Sequence, residues 1–233
     1  MIKLENFEVL GWEHVVRGMR NPMNSWDKSD SYYTYVSDSE THVTAPYAYF
    51  LGENDHDLMM RLRNAGTDHR KYMRMIAVYV DITAPLYWWK EFDTYKVGTT
   101  ANSCSTMHKI HEKEFTIEDF SHEHLTYYEE EGELCRDWLG DLEETIDVLN
   151  FARRKFLDTN DKKYWWQMIQ LLPSSYNQKR TVMLNYEVLA NIFKSRRNHK
   201  LDEWREFCAW IETLPYAEII TGFEPMRDGK DDL

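Results

Sequence analysis

Residues 76–89 read IAVYVDITAPLYWW, and a strand pattern and a helix pattern meet within them. From Ile76 onward, four aliphatic residues alternate with other side chains, which is the period-two pattern of a β-strand. Pro85 then suits the first turn of a helix, because its missing N–H would have no intrahelical partner there. We therefore predict a buried strand followed directly by an aromatic helix. The Trp88-Trp89 pair, like Trp165-Trp166 later in the chain, is expected in the core or at an interface.

Helical patterns dominate the remaining sequence. Leu58, Met59 and Leu62 recur at helical spacing within residues 53–65, and Gly66 can end that helix. The other predicted elements are helices at about 134–157, 164–172, 186–197 and 201–214, a strand at 7–10, loop or short strands over 21–50, and a polar loop over 97–111. We predict an α/β (α+β) fold, rich in helix, with a small central sheet. A single domain is expected over 1–223, followed by an acidic tail over 224–233.

Composition excludes several classes of protein. The 233 residues include 42% hydrophobic residues, which suffice for a packed core, and no apolar run reaches the roughly 18 residues of a membrane span. A formal net charge of −12 opposes binding to a nucleic-acid backbone, although a local arginine cluster can still hold one phosphate. The three cysteines lack the spacing of a zinc site or a redox pair. We expect free thiols in a cytoplasmic protein that binds neither membranes nor nucleic acid.

Polar residues with binding chemistry lie near the C-terminus. Asn185 and Arg196 would be about 20° apart on one continuous helix. Such a helix could present an amide and a guanidinium to one ligand, with Asn191 between them and His199 just beyond. The same residues also have structural interpretations, because Asn185 can cap a helix and Arg196 can be a solvated charge.

The order of these parts resembles that of the flavin-dependent thymidylate synthases. In that family a helix and a glycine precede a turn with a histidine, and a strand then leads through Ala-Pro into an aromatic helix. A signature loop, a Leu-Pro segment and a late helix with two asparagines and an arginine follow. This chain shows Gly66–His69, Val78–Trp89, Leu172-Pro173 and Asn185–Arg196 in that order. The resemblance extends over about residues 4–220.

The chain departs from the family in the signature loop. In the family this loop reads Arg-His-Arg, then seven residues, then Ser, with an Asn and a second Arg nearby. Thr94-Tyr95-Lys96 stands at the Arg-His-Arg position, and Asn102 and Ser105 match if one residue is inserted. Met107 and Ile169 stand where the family has two further arginines. We therefore interpret the chain as a diverged member of the family.

The resemblance implies FAD as the cofactor and dUMP, or a related pyrimidine nucleotide, as the substrate. The implied cofactor-binding residues are His69, Asn102, Asn185, Asn191 and His199. The implied catalytic residues are Arg196 and Ser105, which with Lys96 would also bind the nucleotide. Lys90 and Arg74 lie near enough in sequence to replace lost charge. His69 can equally be a polar turn residue, and Ser105 a loop hydroxyl bonded to local backbone.

Two functions follow from this resemblance. The first is a homotetrameric FAD-dependent enzyme with shared sites, which methylates dUMP to dTMP with methylenetetrahydrofolate and reduced flavin, using NADPH as electron donor. The lost arginines predict weak or altered activity. The alternative is a flavin- and nucleotide-binding homologue that no longer makes thymidylate. A third hypothesis, a metal-dependent enzyme using His108, His111, His122 and His124, is weaker because that segment is very polar, so no metal is predicted.

Overall fold

The computed structural model describes residues 2–34, 48–131 and 134–222, so the predicted acidic tail lies outside the described residues. The chain falls into two compact units. The first unit comprises Met1–Glu5, Asp81–Thr94 and Ala101–Val182, and the second comprises Asn6–Val80, Tyr95–Thr100 and Met183–Leu233. The single domain expected over 1–223 stays a prediction.

Helices make up most of the described chain, as predicted. The strands are β1 (Lys3–Leu10), β2 (Tyr32–Thr34), β3 (Ala48–Phe50), β4 (Ala77–Pro85), β5 (Thr100–Ser103), β6 (Glu129–Glu131), β7 (Leu134–Arg136) and β8 (Asn177–Asn185). The α-helices are α1 (Trp12–Arg20), α2 (Glu53–Asn64), α3 (Leu86–Phe92), α4 (Thr106–Lys109), α5 (Trp138–Thr159), α6 (Lys162–Leu171), α7 (Tyr186–Arg196), α8 (Asp202–Ile211) and α9 (Glu218–Thr221). The 3-10 helices are Asn21–Met23, Trp26–Lys28, Arg70–Met75 and Ile117–Asp119. None of the helices in this part of the chain is long and apolar enough to cross a bilayer.

The main sheet has four strands in the order β1-β4-β8-β5, and each strand has residues in both units. Strand β4 buries Val78, Val80 and Ile82, which confirms the alternation seen in the sequence. Two short antiparallel pairs lie outside it: β2 with β3, and β6 with β7. The predicted small sheet and helix-rich fold class are thus confirmed.

The first unit has its core on α5 and α6. Leu142, Ile146 and Leu149 recur on one face of α5 and are buried in a cluster with Phe115 and Met168. The helix predicted at 134–157 begins later than expected. Residues 134–136 pair as β7, and the Asp137 carboxylate caps the first turn by accepting the Gly140 N–H at 2.8 Å.

The aromatic helix α3 is also in the first unit. Trp88 and Trp89 are buried, which confirms their predicted place in a core, and the Trp89 indole N–H donates to the Gln178 carbonyl at 2.9 Å. Pro85 precedes the helix as its N-cap instead of occupying the first turn. Trp165 packs partly buried against the core of α5 and α6, whereas Trp166 is 44% exposed.

The second unit is organised around α7, which packs against α8, α9 and the 3-10 helix Arg70–Met75. Its α2 is fixed by a buried carboxylate. Asp55 is 0% exposed and accepts from Arg20 Nε at 2.5 Å and from the hydroxyls of Ser29 and Ser31 at 2.6 and 2.7 Å. The N–H groups of Asp30 and Ser31 add two bonds at 3.2 Å. Asp55 thus attaches residues 20–31 to α2.

The surroundings of Asp55 set its ionisation. Burial alone would raise the pKa of this carboxyl, but the hydrogen bonds from Ser29, Ser31 and Arg20 outweigh burial and hold the pKa below its usual range. The ionised form is therefore the one that the folded chain stabilises.

We predict that Asp55→Asn lowers the free energy of unfolding by about 3–5 kcal/mol at neutral pH, because Arg20 would remain buried without its charge partner. A lowered pKa contributes stability above the unfolded value of about 3.9, and that contribution disappears as the pH falls through the folded value. The difference between variant and wild type should therefore shrink on acidification. Urea unfolding between pH 7 and pH 3 measures it.

The matched control is Asp57→Asn, which changes an exposed carboxylate on the same helix. It should alter stability by no more than about 0.5 kcal/mol. An Asp55→Asn variant as stable as this control would show that the buried pair does not hold the 20–31 segment.

Candidate functional site

Helix α7 carries or adjoins most of the residues that the sequence singled out. Asn185 precedes it, Asn191 lies within it, Arg196 is its last residue and His199 follows. Asn185 has extended backbone angles, φ −139° and ψ 168°, so the single continuous helix assumed from the sequence is corrected. Arg196 lies at the other end of α7, about 15 Å along the helix axis. Asn185 therefore lies just before the helix as its N-cap, and Arg196 lies at its far end.

Asn185 is the N-cap of α7. Its Oδ1 accepts the Val188 N–H at 3.0 Å, and its Nδ2 donates to the Gly98 carbonyl at 3.5 Å. The residue is 9% exposed. The structural interpretation of Asn185 is thus confirmed, while its role at a cofactor stays a prediction.

Asn191 is exposed and oriented by an arginine. Arg70 forms an ion pair with Glu187, with 2.9 Å between Nε and Oε2, and its Nη2 lies 3.4 Å from Asn191 Oδ1. Because arginine only donates, the oxygen of the Asn191 amide faces Arg70, and the amide nitrogen is the atom presented elsewhere. His69 is exposed and directly precedes Arg70. The Arg70–Glu187 pair therefore fixes the turn of His69 to the helix that carries Asn191.

Arg196 is enclosed by aromatic residues of the same unit. Its Nε donates to the Tyr95 hydroxyl at 3.0 Å. Its guanidinium carbon lies 4.8 Å from the centre of the Trp204 ring and 5.8 Å from that of Tyr95. These distances are within the range of cation–π attraction. Arg196 is therefore a partly buried cation with fixed partners.

His199 closes the C-terminal end of α7. Its backbone N–H donates to the Arg196 carbonyl at 2.9 Å, and its Nδ1 accepts the Leu201 N–H at 3.2 Å. Acceptance at Nδ1 places the proton of the neutral ring on Nε2, which makes Nε2 a donor. His199 and Arg196 thus lie together at one end of α7.

The loop at 95–100 approaches α7 closely. Lys96 is exposed on this loop. Gly98 has φ +78°, and a Cβ there would lie 2.8 Å from Asn185 Nδ2. The Thr99 hydroxyl is buried and has no hydrogen-bond partner among the described residues. The signature loop therefore contributes Tyr95, Gly98 and Thr99 to the surroundings of α7.

The remaining two predicted residues belong to the first unit. Asn102 is exposed on β5. Ser105 caps the short helix α4 by accepting the His108 N–H at 3.1 Å, which confirms its structural interpretation. It also lines a cavity of about 280 Å³, together with Lys109, Lys113 and Lys179. These two residues are thus placed in a different unit from Arg196.

The three positions where the family has arginines are filled differently here. Ile169 is partly buried and packs against the apolar core of α5 and α6. Met107 is 49% exposed, and the Thr94 hydroxyl donates to the Glu91 carbonyl at 2.7 Å. Lys90, Lys96 and Arg74, the residues proposed to compensate, are all exposed. None of these three positions carries a positive charge.

The histidine cluster at 108–124 does not form a metal site in the described chain, where no group of three or more His, Cys, Asp or Glu side chains is placed to hold an ion. His122 Nδ1 lies 2.9 Å from the Phe120 carbonyl, and the His111 ring packs 4.9 Å from that of Phe156. These histidines therefore have local structural contacts.

Sequence reasoning missed the residues that fix the site: Tyr95, Trp204, Arg70 and Glu187. Tyr95 stands at the histidine position of the signature loop, and the sequence alone shows only the absence of that histidine. Arg70 and Glu187 gave no spacing signal, because their contact joins residues more than a hundred positions apart. Trp204 lies in the next helix after Arg196 and was not singled out.

We predict that Asn185→Ala lowers the free energy of unfolding by about 1 kcal/mol, because the first turn of α7 loses its cap. Asn185→Ser, which can still accept the Val188 N–H, should retain most of the stability. Asn191→Ala, at an exposed position, should cost less than about 0.5 kcal/mol. Urea unfolding of the three variants tests this, and equal stability of Asn185→Ala and wild type would contradict the capping role.

This architecture is similar to that of solved structures. No protein-family model and no curated protein matches the sequence. The chain is similar in structure to thymidylate synthase X from Helicobacter pylori, crystallised with FAD and dUMP, with a TM-score of 0.64 and 14% identity over 95% of this chain and 98% of that one. It is also similar to the UMP/dUMP methylase PolB from Streptomyces cacaoi, bound with 5-Br UMP, with a TM-score of 0.60 and 14% identity over 96% and 95%. The chain has the fold of the flavin-dependent thymidylate synthases, as the order of its sequence elements predicted.

Proposed function

We propose that this chain binds FAD and a uridine nucleotide and acts as a nucleotide methylase of the thymidylate synthase type. The observation that carries this proposal is the fold shared, over 95% of the chain, with a protein crystallised with FAD and dUMP. The second neighbour was crystallised with 5-Br UMP and, in a separate structure, with 5-Br dUMP. These two structures support uridine nucleotides as the substrate class.

The polar residues around α7 fit a flavin cofactor in part. Asn191 offers amide N–H donors and His199 an Nε2 donor, which suit the carbonyl and nitrogen acceptors of a flavin or the hydroxyls of its ribose. The exposed imidazole of His69 and the unpartnered hydroxyl of Thr99 add two further polar groups. Asn185 fits less well, because both ends of its amide already bond within the unit.

We therefore assign His69, Asn102, Asn191 and His199 to the cofactor. When bound, the flavin would supply the hydride that completes the methyl group. The protein residues have the separate task of binding and orienting the reactants.

For the nucleotide, Arg196 is the main candidate. A guanidinium can donate in pairs to carbonyl or phosphate oxygens, and that of Arg196 is held near the Trp204 ring and the Tyr95 hydroxyl. We assign Lys96 to the phosphate as a flexible point charge, and Ser105 to the nucleotide through its hydroxyl. Methylenetetrahydrofolate would supply the one-carbon group and NADPH the electrons.

The lost arginines set the expected level of activity. Each charge-assisted contact to a phosphate contributes about 1.5–3 kcal/mol, and Thr94, Met107 and Ile169 supply none. We therefore propose weak or altered thymidylate synthesis. The alternative is a binding protein that keeps flavin and nucleotide without turnover, and the packing of Ile169 into an apolar core favours it.

We predict that purified protein incubated with FAD is yellow and releases tritium slowly from 5-tritiated dUMP in the presence of NADPH and methylenetetrahydrofolate. Arg196→Ala should reduce release by about ten- to a hundredfold, because a charged hydrogen bond to substrate is lost. Arg197→Ala, an exposed arginine next along the chain, is the matched control and should leave the rate unchanged.

The outcomes separate the two functions. Flavin retention and nucleotide binding without tritium release would support the binding protein. A protein that stays colourless with excess FAD would contradict both proposals. Equal rates for Arg196→Ala and Arg197→Ala would remove Arg196 from the substrate site.

We also propose a homotetramer, as in the family that the sequence resembles. The described part of the first unit leaves apolar side chains exposed on α5 and α6, among them Phe151 (54%), Val148 (49%) and Leu171 (47%). Large apolar groups on a surface are typical of an interface.

We predict a tetramer mass by light scattering at micromolar concentration, and a shift towards smaller species for Phe151→Glu, because a charge would be buried without a partner. Val97→Glu changes an exposed loop residue and should keep the tetramer mass. A wild-type monomer would contradict this proposal.

A further inference from the structure

Arg196 is restrained more completely than a surface arginine at a helix end. Its Nε donates to the Tyr95 hydroxyl at 3.0 Å, and its guanidinium carbon lies 4.8 Å from the centre of the Trp204 ring and 5.8 Å from that of the Tyr95 ring. Trp204 is 0% exposed and packs edge-on against Tyr95, with 6.0 Å between ring centres. Trp204, one of the two aromatic contacts of Arg196, is thus buried in the second unit.

The two kinds of contact restrain different motions. Stacking against rings fixes the plane of the guanidinium but permits it to turn within that plane. A hydrogen bond at Nε restrains this remaining rotation, because it fixes a second point of the planar group. The hydroxyl of Tyr95 therefore determines the direction in which the Nη atoms point.

We propose that Tyr95 is a positioning residue, whose hydroxyl orients Arg196 towards the uridine nucleotide. This role rests on the proposed function of Arg196 as the nucleotide-binding arginine. Tyr95 acts through Arg196 and needs no contact with substrate. The proposal gives a function to Tyr95, which stands where the family's signature loop has its histidine.

The hydroxyl and the ring have separable effects. Tyr95→Phe keeps the ring against Trp204 and removes only the bond to Nε. A purely structural role for Tyr95 would therefore alter thermal stability, whereas a positioning role alters nucleotide affinity. Tyr79→Phe, on the exposed face of β4, is the matched control for loss of one tyrosine hydroxyl.

A double-mutant cycle tests the proposal. The affinity for dUMP is measured by calorimetry on FAD-loaded protein for wild type, Tyr95→Phe, Arg196→Ala and the double variant. Tyr95→Phe should weaken binding about tenfold in the wild type and have no effect when Arg196 is already Ala. Tyr95→His, which restores a hydrogen-bond acceptor, should recover part of the affinity. The melting temperatures of Tyr95→Phe and Tyr79→Phe should agree.

The signal of the Arg196 Nε–H in nitrogen-15 NMR gives a readout that needs no ligand. We expect it to be protected from exchange in wild type and lost in Tyr95→Phe. A tenfold loss of affinity in both backgrounds would overturn the positioning role while leaving the proposed function intact. A wild-type protein that binds neither dUMP nor UMP would overturn the proposed function and, with it, this role.

Discussion

The Asn185 amide oxygen accepts the Val188 N–H and so caps α7 at the residue where β8 ends. Strand β8 ends there and α7 begins, so the direction of α7 follows from this one cap. Along α7, Glu187 and Asn191 meet Arg70, and Arg196 meets Tyr95. The same helix packs against α8, α9 and the 3-10 helix before β4. The placement of the candidate site therefore depends on where α7 starts.

Local periodicity made much of the fold predictable. The alternation from Ile76 fixed β4, and helical spacing located α2, α7 and α8 within a few residues. Prediction was less accurate where a side chain acts on distant backbone. The start of α5 was placed too early, because the pairing of β7 with β6 and the cap at Asp137 left no trace in the periodicity. The order of elements, more than any single residue, carried the resemblance, and the structural comparison confirmed the fold that it implied.

The site was less predictable, for a physical reason. Its predicted residues were chosen by residue type, and an amide such as Asn185 suits a helix cap as well as a ligand. At a position where the family has a charged or polar residue, only three-dimensional contacts show whether the residue present here makes a polar contact of its own. Ile169 shows a position absorbed into an apolar core, whereas Tyr95 shows a substituted residue with a new polar contact. The sequence alone treats both as departures of the same kind.

The close approach of Gly98 to Asn185 limits how this chain can vary. Gly98 has a backbone conformation that disfavours any side chain, and an added Cβ would press on the amide that begins α7. A larger residue at 98 would require a smaller one at 185, and the smaller residue would sacrifice a cap. We therefore expect the effects of substitutions at 98 and 185 to be coupled. A glycine at this position lets the loop at 95–100 lie against the start of α7 whatever side chains stand on either side of it.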